Sequence, residues 1–468
     1  MKSPKSILLF LLVLSLNGFQ NLRAQTKLNS LFGDHMVLQQ HADVAIWGTD
    51  KPHTAIKIEA SWGEQASVTT NADGTWKTTI KTIAGGGPYT LQVQGSRSIS
   101  LKDVLLGEVW LCSGQSNMEM PLAGFAGQPV IGANELILNS ENENLRLFHV
   151  KRNSSAIPLD TCTGIWKNAD PGNVAKFSAV AYMYGKILQE KLKIPVGIIC
   201  SSVGGTRVEA WTNKETLTSN GFDYASIKEP ANITVNSPSA LFNAMIHPLI
   251  PYGIKGAIWY QGESNRNKAE LYQTYFQAMI SSWRKEWRQG DFPFYFVQIA
   301  PFNYGNGVNA AFLREAQLKT WQNTPNTGMA VTMDIGEENC IHPAHKQEVS
   351  QRLAYWALAD TYGYKGIQYS GPIYKSMDVV GNKAKIHFDY APGGVCSFNK
   401  ELKHFEIAGE DQVFHPAVAN IQKGSLTVYS EVVSKPVAVR YAWKSYADGS
   451  LFNVFGLPAS SFRTDNWN

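Results

Sequence analysis

Apolar and polar residues alternate over Val44–Gly48, Ala55–Ser61, Thr75–Ile80 and Tyr89–Gly95, the period expected of half-buried strands. Asp73-Gly74 and Gly85-Gly86-Gly87 supply turns between them. From Asp103 the pattern changes. Unbroken apolar runs at Val109–Gly114, Val196–Gly205, Lys255–Ser264, Pro293–Pro301 and Gly328–Gly336 alternate with helix-period stretches at Ala175–Leu192, Glu270–Arg288, Ala310–Gln322 and Lys346–Tyr362. Strands without a polar face must be covered on both sides, so this region predicts a parallel sheet between helices. After about Gly366 short strand-like segments return, at Lys383–Ala391, Phe405–Gly409, Ser425–Ser430 and Val437–Trp443. The expected division is 25–102 as a β-sandwich-like region, 103–365 as an α/β region, and 366–468 as a second β region able to pack with the first.

Composition narrows the class. At 468 residues, 44% hydrophobic and 17% charged, the chain is an ordered globular protein with room for more than one core. Met1–Ala24 reads as an export signal, with Lys2 and Lys5 before the apolar run Ile7–Leu16, which is short for a membrane span. Cleavage near Ala24 would deliver the chain to the periplasm or the exterior without stable membrane insertion. The signal carries Lys2, Lys5 and Arg23 and no acid, so most of the formal charge of +4 leaves with it. A nearly neutral mature chain does not suggest a nucleic acid partner. The five cysteines have no paired spacing, which argues against a disulfide framework or a zinc site. Cys112 and Cys200, at the ends of apolar runs, read as small buried hydrophobes.

In an open parallel sheet, chemistry gathers beyond the carboxyl ends of the strands. The first apolar run enters Gly114-Gln115-Ser116-Asn117, a strand-to-helix turn that would expose the Ser116 hydroxyl and leave its N–H facing outward; a simple N-cap is the bland alternative. A serine nucleophile needs a base. His342, in Asp334-Ile-Gly-Glu-Glu-Asn-Cys-Ile-His-Pro, follows a strand run and lies between Ile341 and Pro343, where an imidazole would stay neutral. His345 reads as an exposed helix-start residue and His247 as a structural or site-lining one. Gly204-Gly205 permits close approach of a backbone N–H, and Gln261 offers a side-chain amide. These are the candidate oxyanion donors beside Ser116 N–H. Arg207 has the fork to take a substrate carboxylate, unless it pairs with Glu209. Asn117 and Glu263 are further candidates for substrate contact.

The blocks WLCSGQSNMEMPL, SSVGGTRVEAW, WYQGESN and IHPAHKQEVSQRLA, with LFGDHMVLQQ near the start and VAVRYAW and LFNVFGLPASSFRTD near the end, resemble the sialate O-acetylesterases of the SGNH-hydrolase superfamily, which are related to esterases that deacetylate xylan. The resemblance implies a flavodoxin-like three-layer αβα domain flanked by all-β accessory regions. It implies Ser116 as nucleophile, His342 as base, and an oxyanion hole from Ser116, Gly204 or Gly205, and Gln261. The reaction would cleave an acetyl ester on a sugar through an acetyl-enzyme, with no metal or cofactor. The pattern departs from many such enzymes at Asn339, three residues before His342, where they carry aspartate. One reading is a dyad, with a backbone carbonyl or Asn339 orienting the ring; in the others Asp334, Glu337 or Glu338 from the same loop, or Glu263 from the third block, reaches the imidazole. The rival functions are an acetylxylan or other polysaccharide acetylesterase, and a non-catalytic carbohydrate-binding protein on the same scaffold.

Overall fold

A computed structural model describes residues 25–224, 233–305 and 307–467. The expected export signal over Met1–Ala24 lies outside them. Six strands and five helices position the site: β1 (Ser98–Gly114), β2 (Asn142–His149), β3 (Val196–Ser202), β4 (Gly256–Tyr260), β5 (Phe294–Val297) and β6 (Thr327–Ala330), with α1 (Ser116–Glu119), α2 (Ala179–Leu192), α3 (Ala269–Trp287), α4 (Ala311–Asn323) and α5 (Lys346–Trp356). The strands lie in the order β2-β3-β1-β4-β5-β6, every neighbouring pair parallel. Trp166–Ala169 adds an antiparallel edge beside β2.

The unbroken apolar runs have a direct structural cause. Along each central strand, alternate residues enter different cores. Val109 and Leu111 of β1, Ala257 and Trp259 of β4, and Phe294 and Phe296 of β5 join the core that holds Phe276 and Trp283 of α3 and Leu313 of α4. Their neighbours Trp110, Cys112, Ile258, Tyr260, Tyr295 and Val297 join the core of Tyr184 on α2 and Leu353 on α5. Both faces are therefore buried, and the period of two is hidden because its two phases are equally apolar.

The boundary expected at Asp103 falls inside β1, a single strand of 17 residues. Its first half pairs with Gly86–Gln94 and Val37–Gln39, and its second half with β3 and β4. Four N-terminal strands, Val37–Gln39, Ala55–Ala60, Gln65–Thr69 and Gly86–Gln94, thus belong to the same 11-stranded sheet, while Lys27–Leu28, Asp43–Thr49 and Thr75–Lys81 form a separate three-stranded one. The change of pattern at Asp103 marks a change from one-sided to two-sided burial, with no break in the backbone ladder.

The C-terminal β region is anchored on the α/β region. Arg314 of α4, 0% exposed, donates to Ser461 Oγ and to the carbonyls of Ala442, Lys444 and Ser445. Gln298 bonds Ser460, and Arg463 pairs with Glu315 through two nitrogens (2.9 Å each). The five cysteines are free thiols, with Cys112 and Cys200 buried.

Candidate active site

β1 ends at Gly114, where φ is +140° and a Cβ would stand 2.2 Å from the Tyr260 carbonyl oxygen. Only glycine fits there. Gln115 N–H then donates to Tyr260 O (2.9 Å), which binds the turn to β4. Gln115 is the cap position of α1, so Ser116 is its first helical residue and its side chain is not used as a cap.

Ser116 Oγ lies 2.8 Å from His342 Nε2. His342 Nδ1 lies 2.6 Å from Gln128 Oε1. An amide oxygen at Nδ1 requires Nδ1 to carry the ring proton, leaving the Nε2 lone pair to accept from the Ser116 hydroxyl. Phe125 meets the imidazole edge-on at 5.5 Å between ring centres. Burial, and then the charge of Lys346, push the His342 pKa down to about 4, so the ring is neutral at neutral pH.

Gln128 was not among the residues expected to face His342. It comes from the segment after α1. A tight turn there pairs Phe125 with Gln128 through both backbone hydrogen bonds (3.0 Å each), and Gly127 within it has φ +71°. The acids expected at this position are engaged elsewhere. Asp334 accepts two bonds from Arg352 (2.8 and 2.7 Å). Glu337 accepts from Ala344 N–H (2.7 Å). Asn339 and Glu338 are exposed.

Glu263 faces Asn117, the residue after Ser116. Asn117 Nδ2 donates to Glu263 Oε1 (2.7 Å) and to the Ile341 carbonyl (3.0 Å), while Asn117 Oδ1 accepts from Lys346 Nζ. All three side chains are buried, Lys346 at 1% exposure. Burial pushes the Lys346 pKa down to about 7 against the pull of Glu263. Burial also pushes the Glu263 carboxyl up, opposed by Asn117, Lys346 and Arg266. Asn117 is thereby fastened to the loop before His342 and to the turn after β4. Asn117 and Glu263, expected to touch substrate, are enclosed by this network instead.

The expected oxyanion donors divide. Gly204 lies against Ser116, since a Cβ on it would be 3.2 Å from Ser116 Cβ, but its N–H donates to Glu119 Oε2. Gln261 is fully buried, and its amide donates to Thr206 O (2.9 Å) and Asn265 Oδ1 (2.8 Å). Both of its donor hydrogens are used, and it ties the glycine turn to the turn after β4. The N–H groups of Ser116 and Gly205 meet no acceptor among the described residues. Arg207 is exposed and its side chain is not paired with Glu209, which accepts from Asn265 (2.8 Å). Among the described residues no group of three or more His, Cys, Asp or Glu is placed to hold a metal ion.

The profile of a carbohydrate esterase family, the sialic acid-specific acetylesterases, matches residues 106–359. The chain belongs to this family. It is 31% identical to the sialate O-acetylesterase of Homo sapiens, over 89% of this chain and 87% of that one. It is 30% identical to the sialate O-acetylesterase of Mus musculus, over 89% of each. Among solved structures it is similar to a carbohydrate acetylesterase from Xanthomonas citri, with a TM-score of 0.86, 38% identity, and coverage of 94% of this chain and all of that one. The esterase is a carboxylic ester hydrolase that acts on acetylated sugars, and Ser116, His342 and Gln128 all lie within the matched residues.

Proposed function

We propose that this esterase is exported and removes O-acetyl groups from sialic acids through an acetyl-enzyme on Ser116. The observation that carries the chemistry is the chain of contacts Ser116 Oγ to His342 Nε2 to Gln128 Oε1 at 2.8 and 2.6 Å. His342 takes the serine proton as Oγ attacks the acetyl carbonyl. The N–H groups of Ser116 and Gly205 hold the oxyanion. The imidazolium then returns its proton to the sugar oxygen, and the neutral ring activates the water that releases acetate. The scaffold under this chemistry is read as a flavodoxin-like three-layer sandwich.

Sialic acid is favoured by the names of the curated relatives and by Arg207, an exposed guanidinium three residues beyond Gly204. The X. citri neighbour, titled a carbohydrate acetylesterase, favours a second reading, an acetylxylan or other polysaccharide acetylesterase. Acetate release from 9-O-acetylated sialic acid, measured beside acetylated xylan with Ser116→Ala as control, separates them. Serine-dependent release from the sialoside supports the first reading. Release from xylan alone contradicts it.

A further inference from the structure

Where β2 ends, two strands from β1 in the sheet and at the same ends of the parallel strands, lies a basin of about 420 Å³. Three lysines line it, each from a different segment: Lys151 after β2, Lys167 on the antiparallel edge strand, and Lys176 in the turn before α2. His149, the last residue of β2, joins them. The lysines are exposed, and none forms an ion pair among the described residues. No described acidic side chain lines the basin. The backbone beneath is fixed, since Lys151 N–H donates to Thr163 O (2.8 Å). Its apolar parts include Phe177 and Ile165, the latter 67% exposed.

The basin is joined to the catalytic turn by direct bonds. Leu122 N–H, just beyond α1, donates to Phe177 O (2.9 Å). His149 pairs across the ladder with Cys200 of β3, which in turn pairs with Cys112 of β1. A concave surface lined by three lysines that are unpaired among the described residues, with an apolar patch and no acidic side chain in its described lining, suits a sugar ring bearing a carboxylate.

We propose that the basin lined by Lys151, Lys167, Lys176 and His149 binds the carboxylate-bearing sugar of an acidic glycan while the acetylated position is presented to Ser116. This rests on the reading of the chain as a sugar deacetylase and extends it to the charge of the glycan. The carboxylate can come from a sialic acid or a uronic acid, and the test distinguishes them.

Unacetylated oligosaccharides are used as competitive inhibitors of 4-nitrophenyl acetate hydrolysis by the full chain. The probes are sialyllactose, trigalacturonate and, as neutral reference, xylotriose. At low salt at least one acidic probe should bind roughly tenfold more tightly than xylotriose. The inhibition constants are then compared in Lys151→Ser/Lys167→Ser/Lys176→Ser and in Lys167→Ser alone. The triple variant should lose the preference for the acidic probe, and Lys167→Ser part of it. Equal binding of acidic and neutral probes by the native enzyme overturns the proposal, as does a preference that survives in the triple variant. Preference for sialyllactose or for trigalacturonate identifies the source of the carboxylate. A lysine-dependent acidic preference with no hydrolysis of acetylated sialosides leaves the basin standing and removes the sialate reading.

Discussion

His342 is held from two sides by opposite means. On the outer side a neutral amide, Gln128, meets Nδ1 from a turn that is only partly buried. On the inner side a charged network, Lys346–Asn117–Glu263, is enclosed between the nucleophile turn, the turn after β4 and the start of α5. In a Ser-His-Asp arrangement the outer partner is a carboxylate that stabilises imidazolium. Here the outer partner contributes a dipole, and the nearest charge inside is a cation. Both choices favour the neutral ring, which is the form that accepts the serine proton. The cost falls on the imidazolium formed in the transition state, which is left to solvent and to the amide oxygen.

Variants can break this comparison at different strengths. Ser116→Ala removes the proposed nucleophile, and His342→Ala removes the proposed base, whose contribution would be about 10²–10⁴-fold. Both should lower kcat for acetyl ester hydrolysis by at least that factor, with unchanged circular dichroism. Near-native rates in either would remove the assignment.

Lys346→Met strips the inner side of its cation. It leaves Asn117 Oδ1 without its donor inside the buried network, so a loss of about 1–3 kcal/mol in unfolding free energy is expected by denaturant titration. In the same variant the acid limb of kcat/KM should move upward from about pH 4, because the cation that holds His342 down is gone. The limb should stop short of the ordinary 6.5, because burial is the larger cause and remains.

Gln128→Ala loosens the outer side and should reduce kcat by about 10–100-fold, less than loss of the base itself. Gln128→Glu sharpens the comparison. A carboxylate at Nδ1 stabilises imidazolium, so the acid limb should rise by about one unit or more. A limb that stays in place would mean that residue 128 does not face His342 in solution.

The last effect is on the pH dependence of stability. The folded protein holds His342 near 4 against an ordinary value of 6.5, so the unfolded chain binds the proton more readily. The stability contributed by His342 is therefore complete above about pH 6.5 and is lost as pH falls toward 4. Native His342 and His342→Phe should diverge over that window in melting temperature, and run parallel above it.

Legibility in the sequence followed residue chemistry. Ser116 and His342 could be read because a hydroxyl after a strand and a histidine in an apolar loop are distinctive, and the structure brings them within 2.8 Å. Gln128 could not, because a neutral amide in a glycine-rich turn carries no signal until the turn folds back. Lys346 marked the start of a helix, yet its buried position depends on Asn117 and Glu263 from distant blocks. Gln261 had the right chemistry for an oxyanion donor, but its hydrogens are taken by Thr206 and Asn265. The central strands were legible from their length and apolarity. The continuity of β1 across Asp103 was not, because the hydrophobic pattern reports burial and says nothing of where the backbone ladder stops. Arg314, fully buried under the C-terminal region, likewise reads as a polar helix position until that region docks.

The most direct test of the account is rapid quenching of the enzyme during turnover of a 9-O-acetylated sialoside, followed by intact-mass and peptide analysis. The account predicts one acetyl group per chain, on the peptide holding Ser116, which forms within the first turnover and is absent from Ser116→Ala. Steady hydrolysis with no acetylated Ser116 and an undiminished rate in Ser116→Ala would contradict it.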